Sequence, residues 1–165
     1  MRRAMLAAAL VLGLSVVGVA AAQYGDSNPT PPAAQPASAG AEKYTYRAPM
    51  NSGLEVPKPK GAHGSGLFTA TVTESGSSIA LKWKLTFKGL TGKAVAAHIH
   101  KGKPGKAGAV LVPLCSPCRS GQTGSMQLSE SQNSAIEKGG TYANVHTPKN
   151  AAGEIRGQVK LVAHA

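Results

Sequence analysis

The stretch SSIALKWKLTFKGL, residues 77–90, alternates apolar and polar side chains through most of its length. Leu81, Trp83 and Leu85 fall on one parity, and Lys82 and Lys84 fall on the other. Successive side chains of a strand point to opposite sides of a sheet, so this pattern is typical of an antiparallel strand with a buried and a solvated face. The stretch predicts an all-β fold in which Trp83 belongs to the core.

Further stretches of strand character follow the same rule, with turn-forming Gly, Pro, Ser and Asn residues between them. The only stretch that could hold a helical turn is 129–139, with Ser129 or Ser131 as its N-cap. About eight short strands predict an antiparallel β-sandwich or flattened barrel with Greek-key-like connections. The additional strands are expected at residues 44–50, 66–74, 93–101, 109–115, 124–129, 141–147 and 153–162.

The N-terminal part has the composition of an export signal followed by a spacer. Arg2 and Arg3 precede an apolar run that ends at Ala20–Ala22, which indicates a signal peptide over residues 1–22. Residues 23–43 are rich in Pro, Ala and Ser and predict a disordered linker. The β domain then covers residues 44–165, and the protein is expected to be periplasmic or secreted, with no membrane span after cleavage.

The charge balance is strongly basic and bears on possible partners. Eighteen Lys and Arg residues against seven Asp and Glu give a net charge of +11, or +9 without Arg2 and Arg3. This charge could attract an anionic envelope or extracellular ligand, or it could simply keep the protein soluble. Aromatic residues make up 4% of the chain, too few to suggest base stacking, so nucleic acid is not expected as a partner.

Strand parity places several chemically capable side chains opposite the apolar side of their strands. Val95, Ala97 and Ile99 occupy the apolar side of the strand at 93–101, and Ile155, Val159 and Leu161 occupy that of the strand at 153–162. If these strands and the one at 141–147 are neighbours, the groups on their other side form one patch. That predicted patch contains His98, His100, Asn144, His146, Glu154 and Arg156.

Two interpretations of the patch are open. His98, His100 and His146 could bind one copper or zinc ion, since imidazole suits both metals and three protein ligands are typical of an open metal site. Alternatively, these residues form only a hydrogen-bond network on a polar face. Glu55 could be an acid, a metal ligand or a partner of Arg156. No Asp lies beyond Asp26, so a Ser-His-Asp triad within the domain is excluded.

Several motifs in combination resemble the CHRD domain, named from the repeated module of chordin. They are GLEVP at 53–57, AHIHKG at 97–102, YANVHT at 142–147 and GEIRG at 153–157. The resemblance covers residues 44–161 and implies an all-β domain of an extracytoplasmic protein, with no assigned enzymatic activity. The H-x-H on a strand is also similar to copper–zinc superoxide dismutases, but that likeness is confined to His98, His100 and one later His.

The cysteine pair Cys115 and Cys118 lies in PLCSPCRSG, and an exported setting favours a disulfide between them. The sequence as a whole predicts an exported binding or structural module of CHRD type, more readily a non-enzyme than an enzyme. The alternative is a copper- or zinc-binding protein that uses the three histidines, with a dismutase-like or metal-handling role.

Overall fold

The computed structural model describes residues 40–165. The predicted signal peptide and the predicted linker as far as residue 39 lie outside the described residues. Within the described part, no helix is long and apolar enough to cross a membrane. The first strand begins at Glu42, two positions before the domain start that composition suggests.

The described chain is almost entirely β-structure, with one α-helix and one short 3₁₀ turn. The turn, Ser52–Leu54, follows the first strand, and α1 spans Glu130–Glu137. The strands are β1 Glu42–Asn51, β2 Ser65–Ser75, β3 Ser78–Lys88, β4 Ala96–Lys101, β5 Val110–Cys115, β6 Gln122–Gln127, β7 Thr141–His146, β8 Ile155–Gln158 and β9 Lys160–His164.

All strands belong to one antiparallel sheet that is nearly closed into a barrel, in agreement with the predicted flattened barrel. Its strand order is β5-β4-β7-β8-β1-β2-β3-β6, and β9 pairs with β1. The opening stretch forms β3, which pairs with β2 along its whole length and with β6 on its other edge. Closure leaves few free edges, which is the usual way in which antiparallel folds avoid edge-to-edge association.

The core is filled from alternate positions of the strands, as the period of two predicts. On β2 and β3 the fully buried residues include Phe68, Val72, Leu81 and Leu85. Trp83 is 5% exposed and packs in the same cluster, so its prediction as a core residue is confirmed. Deleting a core side chain of this size typically costs about 3–5 kcal/mol of unfolding free energy, so this row anchors the barrel.

The helix and the cysteine pair close two connections. Ser129 is the N-cap of α1, and its side chain and that of Gln132 form a reciprocal capping box, which confirms one of the two predicted caps. Cys115 and Cys118 have their sulfur atoms 2.12 Å apart, at disulfide distance. A bridge across so few residues closes a small loop, so it shapes the turn after β5 more than it stabilises the domain.

Two apolar positions differ from their predicted places. Val95 precedes β4, which begins only at Ala96, and its side chain is 39% exposed. The predicted strand at 153–162 is divided in two, because the chain leaves the edge of β7 after Gln158 and pairs with β1 instead. Leu161 therefore lies on β9, where every residue is exposed, rather than in the core.

Candidate metal centre

Three neighbouring strands, β4, β7 and β8, carry the polar residues that parity singled out. His98 lies opposite Asn144, which in turn lies opposite Arg156. In the next row on the same side, His100 lies opposite Tyr142. Since His146 has the same parity as Asn144 on β7, it shares this side of the sheet. We call this side of the three strands the histidine face.

The histidine face is covered by loops rather than open to water. His100 is 8% exposed and His146 9%, and every residue of β7 is buried. Loop 102–109 contributes the carbonyl oxygens of Gly102 and Lys103, which accept hydrogen bonds from the side chains of Gln158 and Arg156. Segment 52–64 brings Glu55 against Asn144, and loop 147–154 lies beside His146. A strand side that parity alone would place in water is therefore a buried polar site.

The three imidazoles of the histidine face converge on one another. One nitrogen from each of His98, His100 and His146 lies within 4.8 Å of the other two. The closest pair is Nδ1 of His98 and Nε2 of His146, 3.1 Å apart. This separation lies within the span that two metal–nitrogen bonds of about 2.0–2.1 Å each can bridge.

Backbone carbonyl groups fix the orientation of two of the rings. Nδ1–H of His100 donates to the carbonyl oxygen of Gly108 at 2.9 Å, and Nδ1–H of His146 donates to that of Ala151 at 3.0 Å. A neutral imidazole that donates through Nδ1 has its lone pair on Nε2. Such a second hydrogen bond is the usual companion of a metal-binding histidine, because it selects the tautomer and orients the ring.

One of these lone pairs has no partner within the protein. Nε2 of His100 is buried and makes no hydrogen bond. A buried polar atom without a partner costs about 1–3 kcal/mol, and such atoms are uncommon in native proteins. The donor set at the centre of the histidine face, three imidazole nitrogens with one unsatisfied, therefore fits a copper or zinc ion.

The electrostatics of the cluster keep the imidazoles neutral. Burial lowers the pKa of His98 to about 4, and the neighbouring His146 and His100 act in the same direction. Burial also lowers the pKa of His100 and of His146, against the raising effect of their carbonyl hydrogen bonds. Metal ligands must be deprotonated, so a cluster that resists protonation is ready to bind a cation at neutral pH.

Tyr142 and Arg156 form a column of stacked side chains on one face of the His100 ring. The ring of Tyr142 stacks on that of His100 with centroids 5.0 Å apart, and the guanidinium carbon of Arg156 lies 3.4 Å from the centroid of Tyr142. The Tyr142 hydroxyl also accepts a hydrogen bond from the Gly108 N–H. Tyr142 therefore holds both the ring of His100 and the loop residue whose carbonyl orients that ring.

Glu55 lies beside this column and is 2% exposed. Its carboxyl group accepts hydrogen bonds from the Asn144 side chain at 2.5 Å and from the Val56 N–H at 2.9 Å. Burial raises the pKa of Glu55 to about 7, although the Val56 hydrogen bond and the positive charge of Arg156 act in the opposite direction. Glu55 thus contacts Asn144, the cross-strand neighbour of His98, and makes no hydrogen bond to an imidazole.

Glu154 is fully buried at a different junction. It precedes β8, and its carboxylate accepts four hydrogen bonds, two from Thr91 and one each from Thr147 and Asn150. Burial raises the pKa of Glu154, but these hydrogen bonds outweigh that effect and leave it below its ordinary value. Glu154 therefore ties the loop before β4 to the loop after β7, while the other residues of the predicted patch meet on the histidine face.

Sequence reasoning missed several groups that shape the site. The carbonyl groups of Gly108 and Ala151 orient two imidazoles, and no side-chain pattern reports on a backbone oxygen. The sequence does place Tyr142 on the same side of β7 as Asn144 and His146, because the three residues have the same parity. Its stacking on His100 depends on ring geometry, which parity does not give. Gly108 closely approaches the Lys101 carbonyl, so only a residue without Cβ fits there.

A nearly closed antiparallel barrel with a loop-covered cluster of histidines defines the class of this protein as a compact all-β module. The family is shown directly by a family model, described as the CHRD domain, that matches residues 46–159. The chain belongs to the CHRD-domain family, as its motifs suggested. No curated protein and no solved structure matches the chain.

Proposed function

We propose that this protein is an exported CHRD-type binding module whose ligand is a transition-metal ion, copper or zinc, held by His98, His100 and His146. The observation that carries the proposal is the convergence of one nitrogen from each ring to within 4.8 Å. Of the two interpretations that the sequence left open, this geometry favours the metal site over a hydrogen-bond network alone, because Nε2 of His100 takes part in no such network.

The chemistry of the donor set limits which ions suit the site. Three imidazoles without a thiolate suit zinc and copper better than calcium or magnesium, which prefer oxygen ligands. The cysteines of the described chain are both in the disulfide and supply no thiolate. A bound ion would satisfy Nε2 of His100, and the carbonyl partners of His100 and His146 would keep the two rings oriented toward it.

The proposed role is binding rather than catalysis. The ionisable groups nearest the imidazoles are engaged in holding the site: Arg156 lies against Tyr142 and donates to the Lys103 carbonyl, and Glu55 accepts from Asn144. The proposed export rests on the signal-peptide pattern of residues 1–22, and it would expose the site to periplasmic or extracellular metal.

Calorimetric titration of the purified protein with Zn²⁺ and with Cu²⁺ tests the proposal. We expect one ion per chain for at least one of the two metals. His100→Ala should weaken that binding by more than the roughly 10–100-fold typical of outer-shell substitutions, since it removes a ligand.

The matched control is His63→Ala, which removes a histidine outside the cluster. This variant should bind with wild-type affinity and stoichiometry. Absence of stoichiometric binding to the wild type, or equal losses in the two variants, would refute the metal proposal and leave a CHRD module for a different ligand.

A further inference from the structure

A second surface, far richer in positive charge than the histidine face, occupies the outward side of β1, β2, β3 and β6. The register aligns these strands so that outward side chains form rows across the sheet. One row reads Arg47, Thr69, Lys84 and Thr123, and the next reads Thr45, Thr71, Lys82 and Ser125. We call this surface the threonine–lysine face; it does not depend on the metal proposal.

The cations of the threonine–lysine face are exposed and have no carboxylate among them. The outward cations of the four strands are all exposed: Lys43, Arg47, Lys82, Lys84 and Lys88. Every outward position of the four strands is occupied by a residue other than Asp or Glu, because Glu42 and Glu74 have the opposite parity. Within the described residues the one salt-bridge contact joins His164 and Glu42, and it involves none of these cations.

The carboxylates of the described chain are segregated from this face. Glu55 and Glu154 are buried, and Glu130 lies on α1, outside the four strands. Glu42, Glu74 and Glu137 gather near Tyr44, where hydrogen bonding to Glu42, burial and their negative charges raise the pKa of that hydroxyl to about 12. The outward positions of the four strands therefore carry no negative charge and form one continuous positive surface. Such a surface attracts an anionic partner.

The shape of the face suits an extended chain. A shallow depression of about 630 Å³ crosses it, and its lining includes Thr69, Thr71, Lys82 and Lys84. Neighbouring strands lie about 4.8 Å apart, so Arg47 and Lys84, two strands apart in one row, are separated by roughly 10 Å at the backbone. Hydroxyl groups lie between the cations and can donate and accept hydrogen bonds.

We infer that the threonine–lysine face binds an acidic polysaccharide, with the Lys and Arg side chains on its carboxylates and the Thr and Ser hydroxyls on its sugar hydroxyls. A nucleic acid would call for exposed aromatic side chains to stack on its bases. No outward position of the four strands is aromatic, and Trp83, which also lines the depression, is 5% exposed and packs in the core. A face that binds a membrane surface would be expected to carry bulky apolar side chains that insert into the lipid. At the centre of this face the outward residues are Thr, Ser, Lys and Arg.

Affinity electrophoresis through gels containing polygalacturonate, with neutral dextran gels for reference, tests this inference at low salt. Retardation of the wild type should be specific to polygalacturonate and should weaken as salt is added. The double variant Lys82→Gln, Lys84→Gln should bind roughly tenfold more weakly, as expected for two lost surface charge contacts.

The control is Lys93→Gln, Lys106→Gln, which removes the same charge from exposed positions outside the face. This variant should bind within about twofold of the wild type, which would assign the binding to the face rather than to net charge. Equal losses in both double variants, no retardation of the wild type, or tighter binding to phosphatidylglycerol vesicles or oligo(dT) than to polygalacturonate would overturn the inference. All of these readouts are independent of added metal.

Discussion

At the scale of single residues, His100 shows how the chain sets up one imidazole for a ligand. Nδ1–H donates to the Gly108 carbonyl, one ring face stacks on Tyr142, and Nε2 is buried without a partner. The protein thus constrains the tautomer and the orientation of the ring and leaves a single lone pair unused. Orientation of this kind is how outer-shell groups raise metal affinity.

Substitution Gly108→Ala tests the role of the carbonyl that orients His100. A Cβ at this position would overlap the Lys101 carbonyl, so the loop must shift and move the Gly108 oxygen away from His100. We expect metal affinity to fall by roughly 10–100-fold, measured by calorimetry. Gly92→Ala is the matched control, because its Cβ would meet only ordinary contacts; comparable losses in the two variants would contradict the assigned role.

The residues of the site differ in how far the sequence predicts them. Because His98, Asn144 and Arg156 lie on regular strands, their parity alone is enough to group them. The same rule misplaces Val95 and Leu161, since parity holds only while the strand keeps its register. Periodicity also cannot show that loops bury the histidine face, because it does not set the path of a loop.

At the scale of elements, two loops support the site that the strands present. Loop 102–109 is held over the histidine face by hydrogen bonds from Arg156 and Gln158, and loop 147–154 supplies the carbonyl partner of His146. The second loop is itself fastened through Glu154. Gly153 adopts a φ of +136° there, and a Cβ would collide with Asn144 and Glu55, so glycine is required.

Substitution Glu154→Gln tests whether this junction holds the loops. The amide would turn a donor toward groups that are themselves donors, so we expect a loss of about 2–3 kcal/mol in unfolding free energy at pH 7. The folded-state pKa of Glu154 is lowered, so the difference from wild type should be complete above the ordinary pKa near 4.5 and shrink as pH falls below it.

Urea denaturation at several pH values measures this effect. A difference of less than about 0.5 kcal/mol at pH 7, the range of ordinary surface substitutions, would show that the junction does not stabilise the fold. Thr73→Val, a change at a half-buried outward position of β2, serves as a control on a strand remote in sequence from both loops.

At the scale of the whole molecule, the barrel buries polar groups on one side and displays positive charge on another. The nearly closed sheet explains why a period-two pattern predicts the fold so well: alternation defines the inside of any antiparallel barrel. The order of the strands is harder to predict from the sequence, because β3 and β6 pair although a long stretch of chain separates them.

The stability of the molecule should depend on the protonation of Glu55. Its folded-state pKa of about 7 lies above the ordinary value of 4.5, so the folded state binds more protons and loses stability as pH rises from about 4.5 to 7. Glu55→Gln removes this titration and keeps an oxygen for the Asn144 amide, while the lost hydrogen bond from the Val56 N–H costs the same at every pH. As pH rises across that range, the unfolding free energy of the variant relative to the wild type should increase by up to about 3 kcal/mol. Urea denaturation measures this change.

Comparison with this variant cancels the opposite trend that the buried histidines contribute in both proteins. Since the folded-state pKa of His98 is lowered, its contribution to stability grows as pH rises through the same range. A constant difference between wild type and Glu55→Gln from pH 4.5 to 8 would contradict the raised pKa of Glu55.

X-ray absorption spectroscopy reports directly whether His98, His100 and His146 together bind one metal ion. The chain contains five histidines, so the double variant His63→Ala, His164→Ala retains only these three. Loaded with one equivalent of zinc or copper, this variant should show three imidazole nitrogens at about 2.0–2.1 Å from the ion. A spectrum with two or fewer imidazoles, or with oxygen ligands only, would contradict this three-histidine site.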